Sequence, residues 1–232
     1  MPDPFKKNSS QPNHPSLIDV PLFPLPGVVL FPGTVLPLRV FEPRYRRLLR
    51  DVLASEKLIG MAQLKPEPGE IAGAPAVFDV VGVGRVVAHR ELADGTSQIA
   101  LLGQGRGRIT IEIARAPYRI GRLESLPDRM PDEAGEMLAA FTGMMETAQA
   151  LISRTLRDEA CDELQKALKE RAEAGAITDL LASVYVDDSA LRQVLMENSD
   201  VLARTRILQA IMERLLIKVE PRTDYGETIC LN

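Results

Sequence analysis

Residues 20–41 read VPLFPLPGVVLFPGTVLPLRVF, an apolar run long enough to cross a bilayer but carrying Pro21, Pro24, Pro26, Pro32 and Pro37. Five prolines break a helix, and Arg39 is costly in lipid, so the run is not a transmembrane helix. It breaks instead into short β-rich pieces at 17–22, 28–31 and 35–40, cut by Pro26-Gly27 and Pro32-Gly33. Proline cannot donate to a ladder, so these pieces are expected at edges or strand starts rather than in a central ladder.

A helix is expected over 43–56, because Pro43 suits a first helical turn. Tyr45, Leu48, Leu49, Val52 and Leu53 form one apolar stripe on it. Arg44, Arg46, Arg47 and Arg50 take the other faces. Strands resume at 58–64, 77–81 and 85–91, with Gly82 and Gly84 marking a bulge or barrel corner. The loop 65–75 is too rich in proline and glycine to hold an element. Ala93-Asp94-Gly95-Thr96 carries a hairpin signal. Further strands follow at 98–102, 108–113 and 118–126. Many short strands, one helix and glycine-marked bends point to a small, partly closed β-barrel.

The second half switches to helical periodicity. Leu138, Phe141, Met145, Ala148 and Ile152 recur at near-heptad spacing, and Met137, Met144 and Leu151 widen the stripe. A more polar helix carries Cys161, Leu164 and Leu168 and stops at Gly175. Ile177, Leu180, Leu181 and Val184 mark the next. Asp187-Asp188-Ser189 offers caps for a helix with Leu191, Val194 and Leu195. Asn198-Ser199-Asp200 offers caps for the last, with Leu202, Leu208, Ile211, Leu215 and Leu216. Short polar connections make this a bundle.

Charge divides the chain at the same place. Residues 17–126 hold 14 Lys and Arg against 11 Asp and Glu, a net of +3. Residues 127–220 hold 11 against 18, a net of −7. The organisation is therefore a disordered tail (1–16), a barrel (17–127), a helical bundle (128–220) and an irregular tail (221–232). An overall charge of −4 argues against a general nucleic-acid binder. The two cysteines, Cys161 and Cys230, have no metal-like spacing, and a reduced, cytoplasmic setting is expected. The first 16 residues lack the apolar core of a secretory signal.

Little catalytic chemistry is visible. His14 and His89 are the only histidines. A Ser–His–Asp triad would have to use His89, yet there is no G-x-S-x-G elbow, and a surface strand histidine is the simpler reading. Gly103-Gln104-Gly105-Arg106-Gly107 is followed by a strand, not by the helix that a phosphate-cradling loop needs. Cys230 has nothing nearby to lower its pKa. The strand arginines Arg85, Arg106, Arg108, Arg115, Arg119 and Arg122 form either a solvated, salt-bridged face or a track for RNA phosphates. Tyr118 is the one aromatic beside them that could stack on a base.

LIDVPLFPLPGVVLFPGTVLPLRVFEPRYRRLL at 17–49 resembles the start of the Lon protease N-terminal, substrate-binding domain. VGVGRVV at 81–87, LADGTSQIALLGQGRGRI at 92–109 and PYRIGRLE at 117–124 resemble its later strands. The helices from 177 to 216 resemble its bundle. The chain departs at Gly107, where many relatives carry a bulky residue. The resemblance implies an α+β fold, a PUA-like β pseudobarrel with one long helix followed by an α-helical bundle. It also implies a stand-alone, non-catalytic module that recognises unfolded or tagged polypeptides, uses no cofactor, and passes clients to a separate protease or chaperone. No G-x-x-x-x-G-K-S/T phosphate loop and no Lon-type Ser–Lys protease segment occurs in the sequence. RNA is the alternative partner, by analogy with other PUA-like barrels. Phe31, between prolines at a turn, is either core or an apolar surface for clients. The candidate peptide-contacting residues are Leu30, Phe31, Arg39, Glu42, Arg44 and Arg85.

Overall fold

A computed structural model describes residues 17–66, 70–71, 74–114 and 117–219. The two tails, with His14 and Cys230, lie outside the described residues, as do Arg115 and parts of the 65–75 loop. The strands are β1 (Leu17–Leu25), β2 (Val35–Val40), β3 (Leu58–Gln63), β4 (Glu70–Ile71), β5 (Ala74–Pro75), β6 (Val80–Glu91), β7 (Ser97–Ala114) and β8 (Arg119–Ser125). The helices are α1 (Pro43–Leu53), α2 (Ala134–Thr155), α3 (Asp158–Lys169), α4 (Ala174–Tyr185), α5 (Ser189–Glu197) and α6 (Val201–Lys218).

The main sheet runs β2-β7-β6-β3-β1-β8, and β7 pairs again with β8. Five strands therefore close on one another, while β2 hangs outside the ring on the first half of β7. This is the α+β pseudobarrel-and-bundle architecture expected from the sequence. The length of β7 makes it possible: residues 97–102 carry β2, and residues 107–114 carry β8.

Several elements differ from the sequence reading, each for a local reason. Residues 28–31 are not a strand. They connect two turns in which Gly27 and Gly33 take φ near +71° and +72°, the left-handed backbone that a glycine after proline supplies in a type II turn. Residues 77–81 and 85–91 belong largely to one strand, β6, whose register slips at Val83/Gly84 and Val86/Ala88. The bulges absorb what looked like breaks. Likewise 98–102 and 108–113 merge into β7. The loop 65–75 does hold a small ladder, β4 with β5.

β1 is not an edge. Residues 17–22 pair with β8, and residues 22–25 pair in parallel with β3. The hand-over leaves Pro21 without a β3 partner and Pro24 without a β8 partner, so neither ring nitrogen interrupts two ladders at once.

α1 forms as read. Tyr45, Leu48, Leu49 and Val52 are buried, and the Tyr45 ring stacks on Phe23 of β1 at 4.1 Å. In the bundle, the buried face of α2 is Met137, Met144, Ala148, Leu151 and Ile152, while Leu138 is exposed. Gly175 does not stop a helix but sits in the first turn of α4. On α5, Leu191 and Val194 face outward, because the helix leans on β6 through Gln193, Leu195 and Met196.

Two predicted caps form. Asp188 accepts from the Ala190 and Leu191 amides at 2.8 and 3.0 Å, and Asp200 accepts from Ala203. Replacing Asp188 with alanine leaves these amides without a side-chain acceptor. A loss of about 1 kcal/mol is expected, read as a lower urea midpoint at unchanged slope.

The barrel and bundle share their packing. Val29, Phe31 and Val80 belong to the same buried cluster as Met144, Leu151, Leu181 and Leu208 of the helices. Leu30, the neighbour of Phe31, instead fills the barrel cluster with Tyr45, Ile59 and Leu101.

Candidate functional site

The six residues chosen from sequence do not converge. Leu30 and Phe31 are each 1% exposed and face different cores. Phe31 therefore presents no apolar surface to a client. It is a plug between barrel and bundle, and its truncation would report on packing rather than on binding. Arg39 reaches across to Asp94 in the β6–β7 turn at 2.8 Å. Glu42 and Arg44 pair with each other at 2.9 Å beside the start of α1. Arg85 donates to the Glu56 carbonyl at 2.6 Å.

The strand arginines are largely engaged. Arg122 pairs with Asp19, and Arg119 with Glu112 and the Pro75 carbonyl. The Arg122 guanidinium, by its hydrogen bonds, holds the Asp19 carboxyl below the ordinary aspartate range. Tyr118 is half-buried against the barrel cluster, and its hydroxyl donates to Asp51 at 2.8 Å. That bond, with help from Arg47, lowers the Asp51 pKa.

Arg106 departs most from expectation: it is buried, not on a solvated strand face. Its Nε donates to the Met196 carbonyl at 3.1 Å, its Nη1 to Asp128 at 3.2 Å and its Nη2 to Asp179 at 2.5 Å. Arg204 of α6 completes the cluster. It donates to both Asp128 oxygens at 3.0 and 2.6 Å and to the Asn198 carbonyl at 2.8 Å. Its Nε lies 3.1 Å from Asp179 without the alignment of a hydrogen bond. Burial pushes the Asp179 carboxyl above its ordinary range, against the downward pull of the two arginines. Gly175 is required here, because a Cβ on it would sit 2.1 Å from Asp128 Oδ2.

This cluster floors a groove of about 600 Å³ at the barrel–bundle junction. The Pro32-Gly33 turn, residues 102–106 of β7, the stretch after β8 and the start of α4 surround it. Leu102, Leu126, Pro127 and Ala176 give it apolar walls. The floor charges are largely matched to one another, Arg204 Nε excepted, and the exposed Glu173 carboxylate stands at the rim, so the groove sets apolar walls over a mostly paired floor. Such a lining suits an uncharged, extended segment and supplies no nucleophile–base pair.

His89 does meet a serine, its Nε2 lying 3.2 Å from Ser97 Oγ. Among the described residues no carboxylate is hydrogen-bonded to the ring, so the pair lacks the orienting member of a triad there. Among the described residues, no group of His, Cys, Asp or Glu is arranged to hold a metal ion, and no helix is long and apolar enough to cross a membrane.

Residues 19–214 match the family model described as the ATP-dependent protease La (Lon) substrate-binding domain. The chain belongs to this family. It is 30% identical over 213 residues to Lon protease 2 of Sorangium cellulosum, covering 90% of this chain and 26% of that protein. It is 26% identical to Lon protease 2 of Myxococcus xanthus, covering 84% and 23%. The chain thus spans about a quarter of the length of these curated relatives. The solved N-terminal domain of a Mycobacterium avium complex Lon protease superposes with a TM-score of 0.64 at 17% identity, covering 84% of this chain and 98% of that one. A Lon N-terminal domain protein from Xanthomonas campestris gives 0.52 at 24% identity, covering 88% and 99%. These two likenesses carry the fold. Within the Lon family fold, a groove at the barrel or at the barrel–bundle junction was expected, but the residues that line the junction groove and its charged floor are what the sequence reading did not name. The one local signal was Asp179, the single charged residue in the α4 run AGAITDLLASVY.

Proposed function

We propose that this Lon substrate-binding domain is a non-catalytic polypeptide-binding module. It seats an extended stretch of unfolded or tagged protein in the junction groove. The observation that carries this reading is the slot itself: about 600 Å³, apolar walls and a floor whose charges are mostly paired. In this reading the client is held in the cytoplasm and handed to a protease or chaperone on another chain. One small groove gives weak affinity by itself, so tight capture needs several contacts on one client.

The test is a fluorescence titration with a permanently unfolded, neutral polypeptide. Binding in the micromolar range is expected. Ala176→Trp, which fills the groove from α4, is expected to weaken it about tenfold or more. No binding at high micromolar concentration, or an affinity indifferent to Ala176→Trp, overturns the reading.

A further inference from the structure

A second groove lies between α1 and the β6–β7 hairpin, with a volume of about 420 Å³. That is enough for a few side chains. Its floor is apolar, with Leu49 buried and Leu53 half-buried. Its α1 rim carries Arg46 and Arg50, both exposed.

These two arginines differ from their neighbours on the same helix. Arg44 pairs with Glu42, and Arg47 pairs with Asp51 at 3.0 Å. The side chains of Arg46 and Arg50 form no hydrogen bond or ion pair among the described residues. Arg46 lies against the hairpin turn. The hairpin turn presses so close that a Cβ on Gly95 would lie 2.8 Å from Arg46 Nη2. The far rim carries His89, bonded to Ser97, and Glu91. Two arginines on one rim face one carboxylate on the other across an apolar floor.

A guanidinium without a partner is a planar fork matched to a carboxylate. Arg46 and Arg50 are four residues apart, about 6 Å along the helix axis. In an extended chain, residues two apart share a face and are separated by about 6.8 Å. We propose that this groove docks an extended polypeptide segment with two acidic residues two positions apart and an apolar residue two positions further on, all three on one face. The carboxylates take Arg46 and Arg50, and the apolar side chain covers Leu49 and Leu53. Glu91 repels acid from the opposite rim and so fixes which way the segment faces. This site adds a preference for acidic residues, which the junction groove with Glu173 in its lining does not favour, and it does not depend on that groove.

The test is anisotropy of a short labelled peptide with a Glu-x-Glu-x-Leu core, against its Gln-x-Gln-x-Leu counterpart, at low and high salt. The acidic peptide is expected to bind about fivefold to tenfold tighter, with the advantage lost at high salt. Arg46→Ala with Arg50→Ala is expected to erase that margin, and Lys at both positions to restore part of it. Arg47→Ala, whose charge is already paired, is expected to change affinity less than about twofold. Circular dichroism of the double variant checks that it is folded. Equal binding of both peptides, or an acidic preference that survives in the double variant, overturns the proposal. So does displacement of the peptide by single-stranded RNA at lower concentration, which would make the groove a phosphate site. A neutral unfolded polypeptide is the separate readout, since its binding does not run through Arg46 or Arg50.

Discussion

Gly103→Ala is expected to destabilise the protein by about 3 kcal/mol or more, against the usual direction for alanine in place of a strand glycine. An added Cβ would lie 2.1 Å from the Phe31 carbonyl oxygen, 2.9 Å from its carbon and 3.2 Å from Pro32 Cα. All three are backbone atoms, so no rotamer change relieves the clash. Gly82→Ala meets the same obstacle one residue earlier, at 2.0 Å from the Leu30 carbonyl oxygen. The two glycines are the bed on which the 30–32 segment lies. That bed sends Leu30 into the barrel and Phe31 into the bundle. Urea denaturation reads the effect, with Gly135→Ala as the control. Gly135, in the first turn of α2, has nothing within 4 Å of an added Cβ. There alanine is expected to gain about 0.5–1 kcal/mol through helix propensity. A Gly103→Ala protein as stable as the parent would mean that the 30–32 segment is not seated on β7.

The same glycines show where sequence reading succeeds and where it stops. The spacing of Gly82 with Gly84 marked a bend, and β6 does carry a bulge there, at Val83/Gly84. The need that excludes a side chain, another stretch of backbone crossing the strand, comes from residues more than 50 positions away. Local signals fared well when the cause was local. The α1 stripe and the Asp188 and Asp200 caps formed as expected, because helix periodicity and capping act within one turn. Residues 28–31 looked like a strand because they are apolar, yet they are apolar in order to plug two cores. Leu191 and Val194 looked like core because they are apolar, yet Gln193 takes the buried position by donating to the Val80 carbonyl at 3.0 Å. The candidate site was the least legible part. Arg106, Asp179 and Arg204 come from β7, α4 and α6, and nothing in the spacing of three charged residues so far apart announces that they meet.

Arg106→Met is expected to cost about 3–5 kcal/mol, because it keeps the side chain's bulk while leaving buried charge short of a partner. Asp179 would then face Arg204 alone, through a contact that is not a hydrogen bond, and the Met196 carbonyl would lose its donor. Burial already works against the Asp179 charge, so the loss of one arginine weighs more than it would at the surface. A double-mutant cycle isolates the pair. Arg106→Met with Asp179→Leu removes both charges, and the double variant is expected to be less damaged than the two single changes added together. The same cycle on Arg39 and Asp94, exposed partners at 2.8 Å, is expected to give under about 1 kcal/mol of coupling. Binding separates structural stability from groove geometry. If the cluster sets how the bundle sits on the barrel, the apolar double variant folds yet binds unfolded polypeptide more weakly, because the groove floor has lost the groups that space its walls. Near-zero coupling, with binding intact, would instead assign the docking of the two halves to Phe31 and Gln193. The charged floor would then be a tolerated burial rather than the feature that shapes the groove.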